Sequence, residues 1–242
     1  MALLTLAVSS VIWGGLVFIL SGRNLRYLRL ALLGLPLSAA VNILVKQPLA
    51  YGVAILTGLD PVFTVTNPVW YLTFLFMLAP VFEEAIKALP LTLGRFRKMV
   101  VDRRSALLVG MSLGIGFGLG EAAFIALSIV GSPQYAGYPW YLFTGYLFER
   151  VLTVFIHGVM TAVLVAGLAE RRLWPWYLGA VGIHSVINLP VSLFQMGRLS
   201  TPLISAWILV AFGICVLVFL LIRRRSQKER SISEEVNHRN TE

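Results

Sequence analysis

The 242 residues are 58% hydrophobic and only 13% charged, with a mean hydropathy of +0.82, which excludes an ordinary soluble domain and indicates a polytopic membrane protein. The net charge of +9 would suit a nucleic-acid binder, but the basic residues gather in alternate connections between apolar runs, a topological pattern that excludes that class. The single cysteine, Cys215, excludes an internal disulfide and lies in an apolar run without a titratable neighbour in sequence, as a packing residue would.

Apolar stretches of about 20 residues suffice for a hydrocarbon core of about 30 Å, and they run at 2–20, 28–45, 69–94, 105–131, 140–169, 176–196 and 201–222. The prediction is an all-α bundle of about seven transmembrane helices forming one domain over 1–222, with the polar motifs confined to about 69–196. Basic groups follow the first span (Arg23, Arg26, Arg29), the third (Arg95, Arg97, Lys98, Arg103, Arg104), the fifth (Arg171, Arg172) and the seventh (Arg223 to Arg225, Lys228, Arg230, Arg239). The opposite connections hold only Lys46 and Arg198, so the positive-inside rule gives an N-out, C-in orientation. The first span has no preceding positive charge and no small-x-small pattern before Ser21-Gly22-Arg23, so it reads as a retained helix rather than a signal peptide. The segment 223–242 reads as a basic, then polar, disordered cytoplasmic tail.

Between the second and third spans, residues 46–68 contain an apolar stretch, Leu49 to Leu59, too short to cross and followed by Asp60-Pro61 and Asn67-Pro68; a re-entrant or interfacial element is expected. The third span carries Glu83-Glu84-Ala-Ile-Lys87, where Lys87 shares a helix face with either carboxylate and can hold one ionised while the other serves as acid or base. The fourth spaces Gly110, Gly114 and Gly118, with Gly116 and Gly120, so that a neighbouring backbone can approach closely, and ends this run at Glu121. Gly110-Met-Ser112-Leu-Gly114 matches G-x-S-x-G, but a nucleophile elbow needs a strand-to-helix turn, which a membrane helix does not offer.

The fifth span carries Glu149-Arg150 and His157; Arg150 lies two turns before the histidine on the same face and is placed to clamp Glu121 or Glu149. In the sixth, His184 and Asn188 share one face, and both can donate hydrogen bonds to a developing oxyanion. Trp70, Tyr71, Tyr135, Tyr138, Trp140, Tyr141, Trp174, Trp176 and Tyr177 gather near span ends as an interfacial belt would.

Ionisable groups are expensive at membrane depth and face one another or water when a chain keeps them. Measured at about 1.5 Å per residue from the basic helix ends, Glu84, His157, His184 and Asn188 fall about 12 to 18 Å deep and Glu121 about 24 Å deep, so groups from four helices are expected to line one cavity. H-E-x-x-H is absent, and Asp60 and Asp102 both lie in connections, which excludes a zincin motif and an intramembrane aspartyl dyad. The residues by themselves also fit a proton-coupled transporter or a non-catalytic membrane scaffold or chaperone.

Together these motifs resemble the superfamily of glutamic-type intramembrane proteases that includes the CAAX-prenyl endopeptidases and bacterial Abi proteins, with the PrsW and YhfC groups most similar. Glu83-Glu84-x-x-Lys87 resembles the E-E-x-x-K of PrsW members, Phe117-x-x-x-Glu121 their F-x-x-x-E, and His184-x-x-x-Asn188 the final H-x-x-x-N/D. The glycine-rich approach to Glu121 and Glu149-Arg150 with His157 look like YhfC. CAAX enzymes have E-E-x-x-x-R and a histidine where Glu121 stands, which argues against prenylated substrates. The resemblance covers roughly 80–190 and implies an integral protein of a prokaryotic cytoplasmic membrane that cuts a membrane protein or peptide on the cytoplasmic side, within the lipid bilayer. In the implied mechanism Glu84, in preference to Glu83, activates water, and His184 and Asn188 hold the oxyanion. Glu121 and His157 position that water or, with Glu84 and His184, bind a divalent metal, zinc being the most plausible; Lys87 and Arg150 support.

Overall fold

The computed structural model describes residues 1–61, 63–135 and 137–239. Among the described residues seven helices are long and apolar enough to cross a membrane: α1 (Ala2–Leu20), α2 (Leu25–Thr57), α3 (Val69–Thr92), α4 (Arg103–Val130), α5 (Trp140–Ala169), α6 (Leu173–Gln195) and α7 (Thr201–Arg239). No strand occurs among the described residues. The fold is a polytopic helical bundle.

Two helices form its centre. Ser105 to Gly120 of α4 and Val154 to Gly167 of α5 are buried without a break, which is why neither carries a polar stripe of helical period. The glycines of α4 make this possible and serve two opposite neighbours. A methyl at Gly110, Gly114 or Gly118 would collide with backbone of α5 at Ala162, His157 or Val154, whereas one at Gly116 or Gly120 would fall on the Ala31 or Leu35 carbonyl of α2. Gly34 of α2 meets the Leu113 carbonyl of α4 in the same seam. Small residues thus bring three backbones into contact, which is how helices associate where lipid supplies no hydrophobic drive. At its basic end α4 is capped by Asp102, whose carboxylate accepts from the Ser105 amide at 2.7 Å while Ser105 Oγ accepts from the Asp102 amide at 3.0 Å.

Outer helices are tied on by half-buried side chains that donate to carbonyls. Trp13 Nε1 of α1 donates to the Val151 carbonyl of α5 at 2.7 Å, and Trp207 Nε1 of α7 to Ile187 of α6 at 3.2 Å. Phe155 stacks within 5.8 Å of Phe212 and Phe219, and Cys215 is buried beside them as packing. Two aromatics assigned by position to the interfacial belt prove to be internal: Tyr71 is fully buried with its hydroxyl on the Ala50 carbonyl, and Tyr177 donates to Val81 at 2.9 Å, joining α6 to α3.

α2 departs from expectation. Lys46-Gln47-Pro48 reads as a break, yet the helix continues through a wide π turn, Asn42–Lys46, and on to Thr57, capped by Gly58 at φ +70°. The pyrrolidine of Pro48 excludes the ordinary bond to the Leu44 carbonyl, and the widened turn absorbs that loss. The stretch Leu49 to Leu59, expected to be re-entrant or interfacial, is therefore largely the end of α2. At 33 residues α2 is about 50 Å long, so it tilts or projects beyond a core of about 30 Å. α7 likewise runs past its apolar stretch to Arg239, where composition suggests a disordered tail; extending a helix already nucleated adds one hydrogen bond per residue fixed.

Candidate active site

Five helices place charged groups at one level of the bundle. Glu83, Glu84 and Lys87 come from α3, Glu121 from α4, Glu149, Arg150 and His157 from α5, His184 and Asn188 from α6, and Lys46 from the π turn of α2. Glu84 and Lys87 are wholly buried, Glu83, His157 and His184 nearly so.

The contacts form one continuous chain. Arg150 grips Glu149 and donates to Glu121 Oε2 at 2.9 Å; that oxygen also faces His157 Nε2 at 3.0 Å. His157 Nδ1 lies 2.9 Å from Lys87 Nζ, whose ammonium also donates to Glu84 Oε1 at 2.7 Å and sits 4.6 Å over the Phe117 ring. Glu84 Oε1 in turn meets His184 Nδ1 at 2.7 Å. His184 Nε2 points back toward Glu83 Oε2, 3.9 Å away, and Glu83 Oε1 accepts from Lys46 at 2.7 Å.

These contacts divide the two adjacent glutamates. Glu84 is clamped between a lysine and a histidine, and by accepting from Nδ1 it leaves His184 Nε2 with a free lone pair, as second-shell carboxylates do for metal-binding histidines. Both glutamates keep a buried Oε2 without a hydrogen-bond partner among the described residues, and that of Glu83 lies 3.9 Å from His184 Nε2. With Nδ1 donating to Glu84, a neutral His184 has Nε2 as an acceptor. An unpaired carboxylate oxygen at this depth is costly and calls for water, a proton or a cation.

Metal-binding capacity can be tested on these positions. Donor atoms of Glu83, Glu121 and His157 lie within 4.8 Å of one another, and His184 Nε2 is next to the first of them. Two carboxylates with an imidazole are ligand types that suit zinc, so the residues fit a divalent ion in kind. This group contains Glu83 where the motifs suggest Glu84, whose Oε1 is held by Lys87 and His184. Since an ammonium can only donate, Lys87 assigns the proton of neutral His157 to Nε2; that proton must leave before His157 can ligate.

Above the cluster a cavity of about 380 Å³ is lined by Lys46, Glu121, Arg150, His157, His184 and Asn188. It continues along Phe76 and Val191 to Pro61 and Phe63 in the α2–α3 connection and Gln195 at the end of α6. Those last residues lie at the bundle end opposite the arginine-rich connections. The Asn188 amide makes no side-chain hydrogen bond among the described residues and faces this space. Ser112 Oγ donates to the Leu108 carbonyl at 2.7 Å, buried and away from the cavity, so its G-x-S-x-G is packing.

Lys46 was invisible as a site residue, since it reads as a loop charge. The available signal was a single lysine directly after Asn42-Ile-Leu-Val45 and two residues before a proline, in a run otherwise apolar enough to continue the span.

Comparison with known families decides what this arrangement belongs to. A model of the PrsW family of intramembrane metalloproteases matches residues 4–223. The chain belongs to that family. It is an intramembrane protease, and the match includes α1, α2 and much of α7, which lie outside the motif resemblance. No curated protein and no solved structure matches the chain. Among the groups the motifs resemble, PrsW is the one the match names.

The Lys87–Glu84 pair of this PrsW-family protein should also hold the bundle together. Replacing Lys87 by Met strands a buried carboxylate and is expected to lower stability by about 3–5 kcal/mol, read as a drop in the thermal unfolding midpoint in detergent. An unchanged midpoint would show that His184 alone suffices to hold Glu84.

Proposed function

We propose that the protein hydrolyses a peptide bond of a membrane protein or peptide at the cluster's surface, with Glu83 as general base and the cavity as the substrate's entrance. The observation that carries this reading is that donor atoms of Glu83, Glu121 and His157 lie within 4.8 Å of one another, with His184 Nε2 3.9 Å from Glu83 Oε2 and a cavity lined by Glu121, His157 and His184 alongside. Glu83 Oε2, unpartnered and 3.9 Å from His184 Nε2, is the oxygen that would take a proton from water, while Lys46 holds Oε1. Glu84 orients His184, and Arg150 with His157 fixes Glu121. A divalent metal held by Glu83, Glu121 and His157 would supply Lewis acidity and a water of lowered pKa, with Glu83 then serving as ligand in place of base. Asn188 and Lys46, an uncharged and a charged donor among those that line the cavity, would face the position where a carbonyl oxygen gains charge.

Membership of an intramembrane protease family supports a substrate embedded in lipid. The alternating basic connections support placing the cavity mouth, which lies opposite them, outside the cytoplasm, so the cut falls in the extracytoplasmic half of a substrate span. Reconstituted in liposomes, the protein should cleave a single-span peptide within that half. Asn188→Ala should lower kcat by about 10²- to 10³-fold with KM little changed. Cleavage confined to the cytoplasmic half would overturn the entrance assignment, and an unaltered kcat would remove Asn188 from the oxyanion site.

A further inference from the structure

A second cavity lies away from the active site, at the basic end of the bundle. Arg26 and Arg29 stand in the first turns of α2, and Arg95 in the short helical turn Gly94–Arg97 that follows α3. Together they rim a space of about 310 Å³ whose floor is Leu30, Leu33, Phe96 and Met99.

Its polarity is graded along the helix. Leu30 follows Arg26 by four residues and Leu33 follows Arg29 by four, so each apolar side chain sits on the same face as an arginine, about 6 Å deeper. The floor is firm, because Leu30 is buried in a core cluster against which Leu33, Phe96 and Met99 pack. Arg95 lies 4.5 Å over the Phe96 ring, which orients its guanidinium. Among the described residues none of the three guanidinium groups has an acidic partner, and no aspartate or glutamate lines the space. Three like charges around one cavity repel one another, and a shared anion relieves that repulsion.

We propose that this cavity binds an anionic phospholipid of the adjoining leaflet. The phosphodiester lies among Arg26, Arg29 and Arg95, whose planar forks suit phosphate oxygens, and the glycerol and first acyl carbons cover the apolar floor. A free phosphate would satisfy the arginines yet leave that floor wet, whereas a lipid matches both ends. The position also suits a lipid, since α2 enters the membrane here, where basic pockets between helices meet headgroups.

The test uses the full chain in nanodiscs of phosphatidylcholine with a minority of phosphatidylglycerol, and native mass spectrometry to count retained lipid. The wild type should retain phosphatidylglycerol about tenfold above its bulk proportion. R26Q/R29Q/R95Q should lose that enrichment, while R223Q/R224Q/R225Q, an equal change of charge at another basic segment, should keep it. Equal loss in both triple variants, or none in the first, overturns the proposal in favour of general electrostatic attraction. Displacement by inorganic phosphate overturns it in favour of a free-phosphate site. Should the first triple variant melt early in phosphatidylcholine alone, Arg95→Gln, in an exposed connection, gives the same reading through a partial loss of enrichment.

Discussion

Glu83→Gln is expected to reduce cleavage by about 10⁴-fold, the upper range for removing a general base, while Glu84→Gln reduces it by about 10- to 100-fold, the usual cost of losing an outer-shell partner. Both changes keep the volume and remove a charge, so the contrast reports position. Each glutamate keeps one unpaired oxygen, but that of Glu83 lies 3.9 Å from His184 Nε2, whereas Glu84 is held through Oε1 by both Lys87 and His184. A Gln at Glu84 still offers a carbonyl oxygen to His184 Nδ1, though a weaker one. The assay is peptide cleavage in liposomes, with zinc affinity measured on the same preparations. Zinc affinity should fall with the Glu83 change and move less with the other. If Glu84→Gln proves the more damaging of two folded variants, the base is Glu84, as the order of the motif by itself suggests.

Gly116→Ala should destabilise the bundle by about 3 kcal/mol, the upper range for overpacking, because its methyl would fall on the Ala31 carbonyl of α2 and not on a movable side chain. Gly114→Ala should do as much to stability and also damage catalysis. Its methyl would meet the His157 carbonyl, so α5 can make room only by shifting the histidine that bonds Glu121. A misplacement of about 1 Å at a reacting group costs about 10²-fold in rate. Gly52→Ala is the control, since a methyl there meets nothing and Ala favours helix. Thermal unfolding in nanodiscs and cleavage rate on the same samples separate the two effects; a Gly114→Ala enzyme that melts early but cleaves normally would show that α5 rotates without carrying His157 away.

Composition and span length were enough to read seven helices and the order of their polar residues, because a bilayer leaves a chain few alternatives. The helix ends of α1, α3, α4 and α5 moved by no more than two residues. Rotation about each helix axis was not legible. Glu83 and Glu84 are neighbours in sequence but about 100° apart around α3, so their roles depend on where Lys46, Lys87 and His184 stand, which sequence spacing on one helix does not give. Lys46 was hidden for a related reason: the π turn that carries it adds a residue to one turn of α2 and re-aims everything beyond it. The glycines of α4 signalled close packing, but not that alternate glycines serve two different neighbours.

The linked charges have one further consequence. In formal terms Glu83, Glu84, Glu121 and Glu149 face Lys46, Lys87 and Arg150, leaving the assembly one positive charge short of neutrality with both imidazoles uncharged. In a medium of low permittivity such a deficit is a standing attraction for one cation. A divalent ion together with a hydroxide brings one net positive charge, so that combination balances the assembly, whereas either component by itself does not.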